Sequence, residues 1–244
     1  MKTYRLNAIM AGALYILGTV GGVLSLVIAG DLVTGENVLV AIAAAPSRLT
    51  LGTFFILVMG LSLAAMPLFL YPLFRKDSEP LALGMLIFRG PLEGATYIAT
   101  ATAWLALGAL SKELAAAGTQ PASLQALANV VLQVSARTSN IATFVFIIGA
   151  TCLYTSFFRT RLIPRWLSVW GLIGAVIFVS VDLLKFFGFN PGDIFYMPLA
   201  VQEMVMGLWL VIAGFNQNAV RMLDDIPVAP SVPSFASQSA PNKA

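Results

Sequence analysis

The sequence predicts an all-α, polytopic membrane protein, a six-transmembrane-helix bundle with an amphipathic outer connection. Three observations carry that expectation. Of 244 residues, 59% are hydrophobic and only 10% are charged, a composition far outside the soluble globular class. Six apolar stretches are each long enough for a bilayer, whose hydrocarbon core takes about 20 helical residues to cross. Lys and Arg gather in alternate connections, as the positive-inside tendency requires.

Lys2 and Arg5 open the chain, and the first span follows at residues 8–29. Its apolar run is too long for the core of a signal peptide. Gly18 and Gly22 form a small-xxx-small pair, extended by Ala8 and Gly12. This helix is expected to pack closely on a neighbour rather than line a pore. The same face offers a surface for a homo- or hetero-oligomer. Asp31 and Glu36 then precede a weakly amphipathic piece, 38–45, which Pro46 stops. The second span runs over 49–74, with Pro67 and Pro72 placed to kink its last turns and Tyr71 at the interface.

A polar turn, 75–80, leads into the third span, 81–110, which carries Arg89 and Glu93. A charge near the centre of a spanning helix costs about 2.5–3.5 kcal/mol. Four residues apart, the two lie on one helix face, roughly 40° apart on the wheel, and can pair. Tyr97, Thr100 and Trp104 continue that polar stripe. Pro91 between the charges removes a backbone donor and frees the carbonyl of Ile87, and Gly90 beside it favours a kink. Broken backbone at membrane depth persists only where it is buried or lines a cavity.

Residues 111–137 form the longest connection. Thr119 with Pro121 marks a helix start. Leu124, Leu127, Val131 and Val134 recur at helical spacing, and Gln125, Asn129 and Gln133 fall on another face. Two readings stay open: a helix on the membrane surface, or an outward extension of the fourth span, 138–158. Either places a lid over the bundle. After a basic turn, 159–165, the fifth span (166–187) begins with Trp166 and Trp170 at the interface and ends with Asp182 and Lys185. Asn190-Pro191-Gly192-Asp193 is a strong turn signal. Pro198 opens the sixth span, 198–215, with Glu203 near its start. The membrane domain is thus expected over 1–223. From 224 to 244 the Pro/Ser/Ala-rich, aperiodic chain reads as a disordered cytoplasmic tail.

One side collects Lys2, Arg5, Arg75, Lys76, Arg159, Arg161, Arg165, Arg221 and Lys243; the other has Arg48, Lys112 and Arg137, with Lys185 near its boundary. Both termini are therefore expected in the cytoplasm. At about 1.5 Å per residue, Glu93 then falls near mid-membrane, Arg89 just inside it, and Asp182 and Glu203 in the outer half. Arg137 and Asn140 sit at the outer mouth of the fourth span. The candidate ligand-binding cavity is accordingly Arg89, Glu93, Tyr97, Asp182, Glu203, Arg137 and Asn140. Each also has a structural explanation: Arg89 with Glu93 as a clamp that specifies the bundle, Asp182 with Lys185 as a snorkelling pair, Glu203 as a helix N-terminal charge.

Histidine is absent and Cys152 is the sole cysteine, which removes the His/Cys sets of zinc, haem and iron–sulfur sites. Neither a metal nor a cofactor is expected, and no catalytic residue is assigned. No basic stripe with interleaved aromatics is present, so nucleic acid is not an expected partner. The expected partners are the lipid bilayer and a small-molecule or lipid ligand.

Arg89 with Glu93, the run Pro164-Arg165-Trp166-Leu167-Ser168-Val169-Trp170-Gly171, and Pro198 through Gln202-Glu203 to Trp209-Leu210 and Gly214-Phe215 carry a resemblance. With them the chain resembles the bacterial membrane family called domain of unknown function 4386, over nearly all its length except the tail. The resemblance implies a six-helix integral protein of the bacterial inner membrane and supplies no catalytic assignment. Three functions fit these residues. A module that binds or passes a small molecule, lipid or proton leads; a structural or regulatory partner protein follows. An intramembrane enzyme comes last, because no nucleophile motif or phosphate loop is present.

Overall fold

The computed structural model describes residues 2–35, 37–117 and 121–226. Glu36, Thr119 and the tail from residue 227 onward, including Lys243, lie outside the described residues. Among those described, every regular element is helical. In order they are α1 (Lys2–Thr34), α2 (Val38–Ala44), α3 (Pro46–Asp77), α4 (Glu79–Ile87), a π-turn (Phe88–Leu92), α5 (Glu93–Ala117), α6 (Ala122–Thr160), α7 (Arg165–Phe186), a 3₁₀ turn (Asp193–Tyr196), α8 (Met197–Ile212) and α9 (Gln217–Asp224).

Five helical stretches are long and apolar enough to cross a membrane: Tyr4–Thr34, Pro46–Asp77, Ala122–Thr160, Arg165–Phe186 and Ile194–Ile212. Together they describe a multi-pass membrane protein. The segment expected as the third span, 81–110, is divided among α4, the π-turn and α5. Pro91 gives the reason, since it has no N–H to donate and its ring crowds the carbonyl four residues back. The backbone responds at Gly90, whose φ −93° and ψ −107° leave the helical region, and the turn widens to the π form. Pro67 and Pro72, in contrast, lie inside α3, which continues through both.

The two readings of 122–137 resolve into one continuous helix. α6 runs 39 residues from Ala122 to Thr160, and the sequence offers no Pro or Gly before Gly149 to interrupt it. α9 was not anticipated; Asn216 caps it by accepting a hydrogen bond from the Asn218 backbone N–H at 3.0 Å.

Side-chain bonds tie the two ends of the bundle. At the end where the chain begins, Lys76 Nζ donates to Asp224 Oδ1 at 2.6 Å and Tyr4 Oη donates to the same oxygen at 2.8 Å. The Lys76 ammonium, and then the Tyr4 hydroxyl, hold the Asp224 carboxyl below the usual carboxylate range. Arg159 Nε donates to Asp77 at 2.8 Å. Arg5 Nη2 donates to the Val211 and Ile212 carbonyls at 3.0 and 2.9 Å, satisfying acceptors that the end of α8 leaves open. At the opposite, distal end Arg48 pairs with Asp31 at 2.7 Å, and Ser111 Oγ donates to the Leu39 carbonyl at 2.9 Å.

Two apolar cores fill the bundle. The terminal core joins α1, α3, α4, α6, α7, α8 and α9 through residues such as Ala11, Leu70, Phe74, Met85, Leu153, Phe157 and Leu210. The distal core uses the far ends of α1 and α3 with α2, α5 and α6, through Leu32, Ile42, Ile56, Trp104 and Leu107. Glycines set the close approaches of α1. A Cβ on Gly12 would stand 2.5 Å from the Gly207 carbonyl oxygen, and one on Gly18 would stand 2.6 Å from Leu63 Cγ. The glycine surface of the first span is thus engaged within the chain, by α8 and α3.

Candidate functional site

Between the two cores lies a polar layer organised by Arg89, whose side chain is fully buried. The π-turn carries Arg89 and hands directly to Glu93, the first residue of α5. Arg89 Nη1 donates to Glu93 Oε1 at 2.9 Å and to Oε2 at 2.8 Å. Room for the guanidinium stem comes from α6, where a Cβ on Gly149 would stand 2.6 Å from Arg89 Cγ and 2.9 Å from its backbone nitrogen. The guanidinium carbon lies 4.7 Å from the Phe146 ring centre and 5.5 Å from that of Tyr15, both within cation–π range. Arg89 Nε is buried without a hydrogen-bond partner.

The layer extends from both ends of this pair. Tyr97 Oη donates to Glu93 Oε1 at 2.9 Å. Arg89 Nη2 donates to Tyr15 Oη at 3.1 Å, and Tyr15 Oη in turn donates to Glu203 Oε1 at 2.8 Å. Tyr154 Oη donates to Gln202 Oε1 at 2.9 Å, and Gln202 Nε2 donates to the Leu167 carbonyl at 3.0 Å. A phenol has one proton to give. With Tyr15 committed to Glu203 and Tyr154 to Gln202, the 3.4 Å approach of the two hydroxyls is left as an oxygen–oxygen contact, in keeping with its length. Helices α1, α5, α6 and α8 and the π-turn all contribute to this layer.

On its distal side the layer floors a cavity of about 670 Å³. Of the seven residues singled out from the sequence, Arg89, Glu93, Tyr97, Asn140, Asp182 and Glu203 line it. Arg137 does not: it is exposed on α6, one turn beyond Asn140. Asp182 reaches the cavity from α7 but is held by its own partners, accepting hydrogen bonds from the hydroxyls of Thr143 and Tyr196. Lys185 sits 4.8 Å from the Tyr196 ring centre. The first span, expected to stay clear of any pore, contributes Thr19, Gly22 and Ser25 to the wall. Its glycine face packs, while the neighbouring face stays open to the cavity.

The sequence reading missed Tyr15, Tyr154, Gln202, Thr143 and Tyr196 as members of this site. Tyr154, four residues from the end of the fourth span, carries no signal of its own. A tyrosine inside a span, away from the interfaces where aromatic residues collect, is the signal that could have flagged Tyr15. Gln202 beside Glu203 is the same signal on α8. Chemically, the arrangement can hold a charge in a largely apolar surrounding, because fixed hydroxyls and one guanidinium replace water around the carboxylates. Among the described residues, no group of three His, Cys, Asp or Glu side chains is placed to hold a metal ion.

A family model matches residues 10–214, that of the Domain of unknown function (DUF4386), and the chain belongs to this family. The matched stretch contains every residue of the polar layer. No curated protein and no solved structure matches the chain.

Proposed function

We propose that this DUF4386 protein is a membrane module that binds or passes a small molecule, a lipid or a proton at the cavity above the Arg89 layer. In this reading α4, the π-turn and α5 together make a sixth crossing, broken at Pro91, and the chain spans a bacterial inner membrane. Both termini then lie in the cytoplasm, because Arg5, Arg75, Lys76, Arg159, Arg161 and Arg165 belong to the end of the bundle where the chain begins. The cavity consequently faces the outer leaflet.

One observation carries the proposal: a buried, hydrogen-bonded charge layer forms the floor of a cavity of about 670 Å³. Intramembrane ionisable groups are costly to keep, and a volume of roughly 300–1,000 Å³ is usual for small-molecule sites. A clamp alone would be better served by closed packing over the pair. The complete burial of Arg89 and its two-oxygen bond to Glu93 favour a second reading, a structural partner protein in which the pair only specifies the bundle.

Native mass spectrometry of the protein released from mild detergent separates the two readings. The wild type is expected to carry an additional bound mass, which Ala200→Trp, placed in the cavity wall, removes without unfolding the protein. A wild type without bound mass, or a bound mass that survives Ala200→Trp, would overturn the binding reading. Topology is tested separately with reporter fusions. A fusion after Asn129 should report outside and one in the tail inside; the reverse pattern rejects the orientation.

A further inference from the structure

The ligand class follows from what faces the floor, and the inference rests on the cavity reading just given. Phe178 on α7 stands 5.1 Å from Phe146 and 4.8 Å from Tyr196, centre to centre. All three rings line the cavity, so one wall is continuously aromatic. Asp182 follows Phe178 by one turn of α7, and Glu203 on α8 follows Tyr196 of the 3₁₀ turn by about two turns. The charged lining residues are Arg89 against Glu93, Asp182 and Glu203. Arg89 gives Nη1 to both oxygens of Glu93 and Nη2 to Tyr15. The lining therefore carries three carboxylates against one guanidinium, beside aromatic faces of which Phe146 already meets Arg89 and Tyr196 meets Lys185. Glu203 Oε1 accepts the Tyr15 hydroxyl, and among the described residues no cationic side chain bonds to it directly.

Such a surface discriminates among ligands. An anionic headgroup would meet three carboxylates and a guanidinium already engaged by Glu93. A metal ion would find no converging ligand set, and both oxygens of Asp182 already accept hydroxyl protons. An organic ammonium ion suits it on both counts, since aromatic faces attract a weakly hydrated cation and carboxylates neutralise it. The remaining wall mixes apolar side chains, among them Ile56, Met59 and Leu63, with uncharged polar ones such as Thr19, Thr96 and Asn140.

The mouth shows where such a ligand enters. Val23 and Leu26 on α1 line the cavity and are 55% and 66% exposed. Across from them Ala136 and Ser139 on α6 also line it and are exposed. Val23 and Leu26 lie about two to three turns inside the distal end of α1, at about 1.5 Å per residue, a depth occupied by acyl chains. We propose that the cavity receives a lipophilic organic ammonium ion. It enters sideways from the leaflet between α1 and α6, its tail against α3 and α6 and its head between the aromatic wall and Glu203.

The test uses the full chain in lipid nanodiscs and three surfactants with the same tail: dodecyltrimethylammonium, dodecyl sulfate and dodecyl maltoside. Binding is read as a saturable change in tryptophan fluorescence, since Trp104 lines the cavity. Dodecyltrimethylammonium is expected to saturate the signal while the other two do not. Glu203→Gln should weaken its binding about tenfold, the equivalent of losing roughly 1.4 kcal/mol, and Asp182→Asn should weaken it in the same direction. Should Glu203→Gln not fold, Asp182→Asn carries the test together with Phe178→Leu. Ser139→Trp at the mouth should slow association. Saturable binding of all three surfactants with equal affinity would overturn the ammonium assignment and leave the cavity reading standing. The assignment also falls if affinity is unchanged in both carboxylate variants. Unchanged association in Ser139→Trp would overturn sideways entry. Absence of saturable binding by any of the three to the wild type would overturn the ammonium assignment, while the cavity reading is decided by the bound mass and its loss in Ala200→Trp.

Discussion

The terminal and distal halves of this bundle are built from the same long helices, yet one is closed and the other holds a cavity. In the terminal half α1 meets α8 backbone to backbone at Gly12 and Gly207, and Tyr154 lies against the bare Gly171. The ends are then tied by Lys76, Tyr4 and Asp224. In the distal half, the core that contains Trp104 and Ile56 draws on α1, α2, α3, α5 and α6, and no residue of α7 or α8 joins it. Phe178, Asp182 and Ala200 face that core across the open volume instead. Without a hydrophobic force between helices in lipid, small residues that permit close approach decide where helices meet. In the terminal half such glycines join α1 to α8, whereas in the distal half they join α1 to α3, where a Cβ on Gly52 would stand 2.5 Å from Ala29 Cβ, and the Arg89 layer marks the level where the partners change.

The largest expected effect lies at that level. Glu93→Gln strands a buried guanidinium and should lower stability by about 3–5 kcal/mol, as breaking a buried pair does. Thermal unfolding in detergent measures it. The double variant Arg89→Met with Glu93→Gln should recover part of the loss, whereas additive losses would mean that the two side chains do not interact.

Next comes the closed half. Gly12→Ala places a methyl 2.5 Å from a backbone oxygen and 2.8 Å from Leu210 Cβ, so a helix must move. A loss of about 1–3 kcal/mol is expected, typical of overpacking. Leu26→Ala, at the mouth of the open half, should shift stability by no more than about 0.5 kcal/mol. If both variants melt alike, the contrast between the halves fails.

The smallest effect belongs to the tie at the terminal end. The Asp224 carboxyl is held low in the folded state, so its contribution is present above the ordinary aspartate pKa of about 3.9 and fades as pH falls through the lower folded value. Asp224→Asn should therefore melt slightly below the wild type at pH 7, and the gap should narrow as the pH falls below about 3.9. A gap that persists at the acid end would show that the carboxylate charge is not what Lys76 and Tyr4 recognise.

Much of this architecture was legible from residue order. Apolar run length marks the helices, and the four-residue spacing of Arg89 and Glu93 gives their bond before any packing is known. Pro91 foretells the break at Gly90. What stayed hidden depends on partners distant in the chain. Tyr15 meets Glu203 across 188 positions, and nothing local to either residue specifies the other. Arg137 was grouped with the site by depth alone; depth does not say which way around α6 a residue sits, and it falls outside the lining. The continuity of α6 could have been read from the absence of a breaker, but its amphipathic start resembles a surface helix equally well.

The bond between Arg89 and Glu93 has a bearing on biosynthesis. Its two partners are four residues apart, so they can find each other while the segment is still leaving the translocation channel, before α6 or α8 has been made. The charges would then enter lipid as a neutral pair rather than as two separate ions. Only Ser78 separates α3 from α4, so the strongly apolar α3 can draw its weaker successor in as a hairpin. The final partners of the layer, Tyr154, Gln202 and Glu203, emerge later, so in the proposed six-crossing arrangement they would complete a site whose charged pair had already formed.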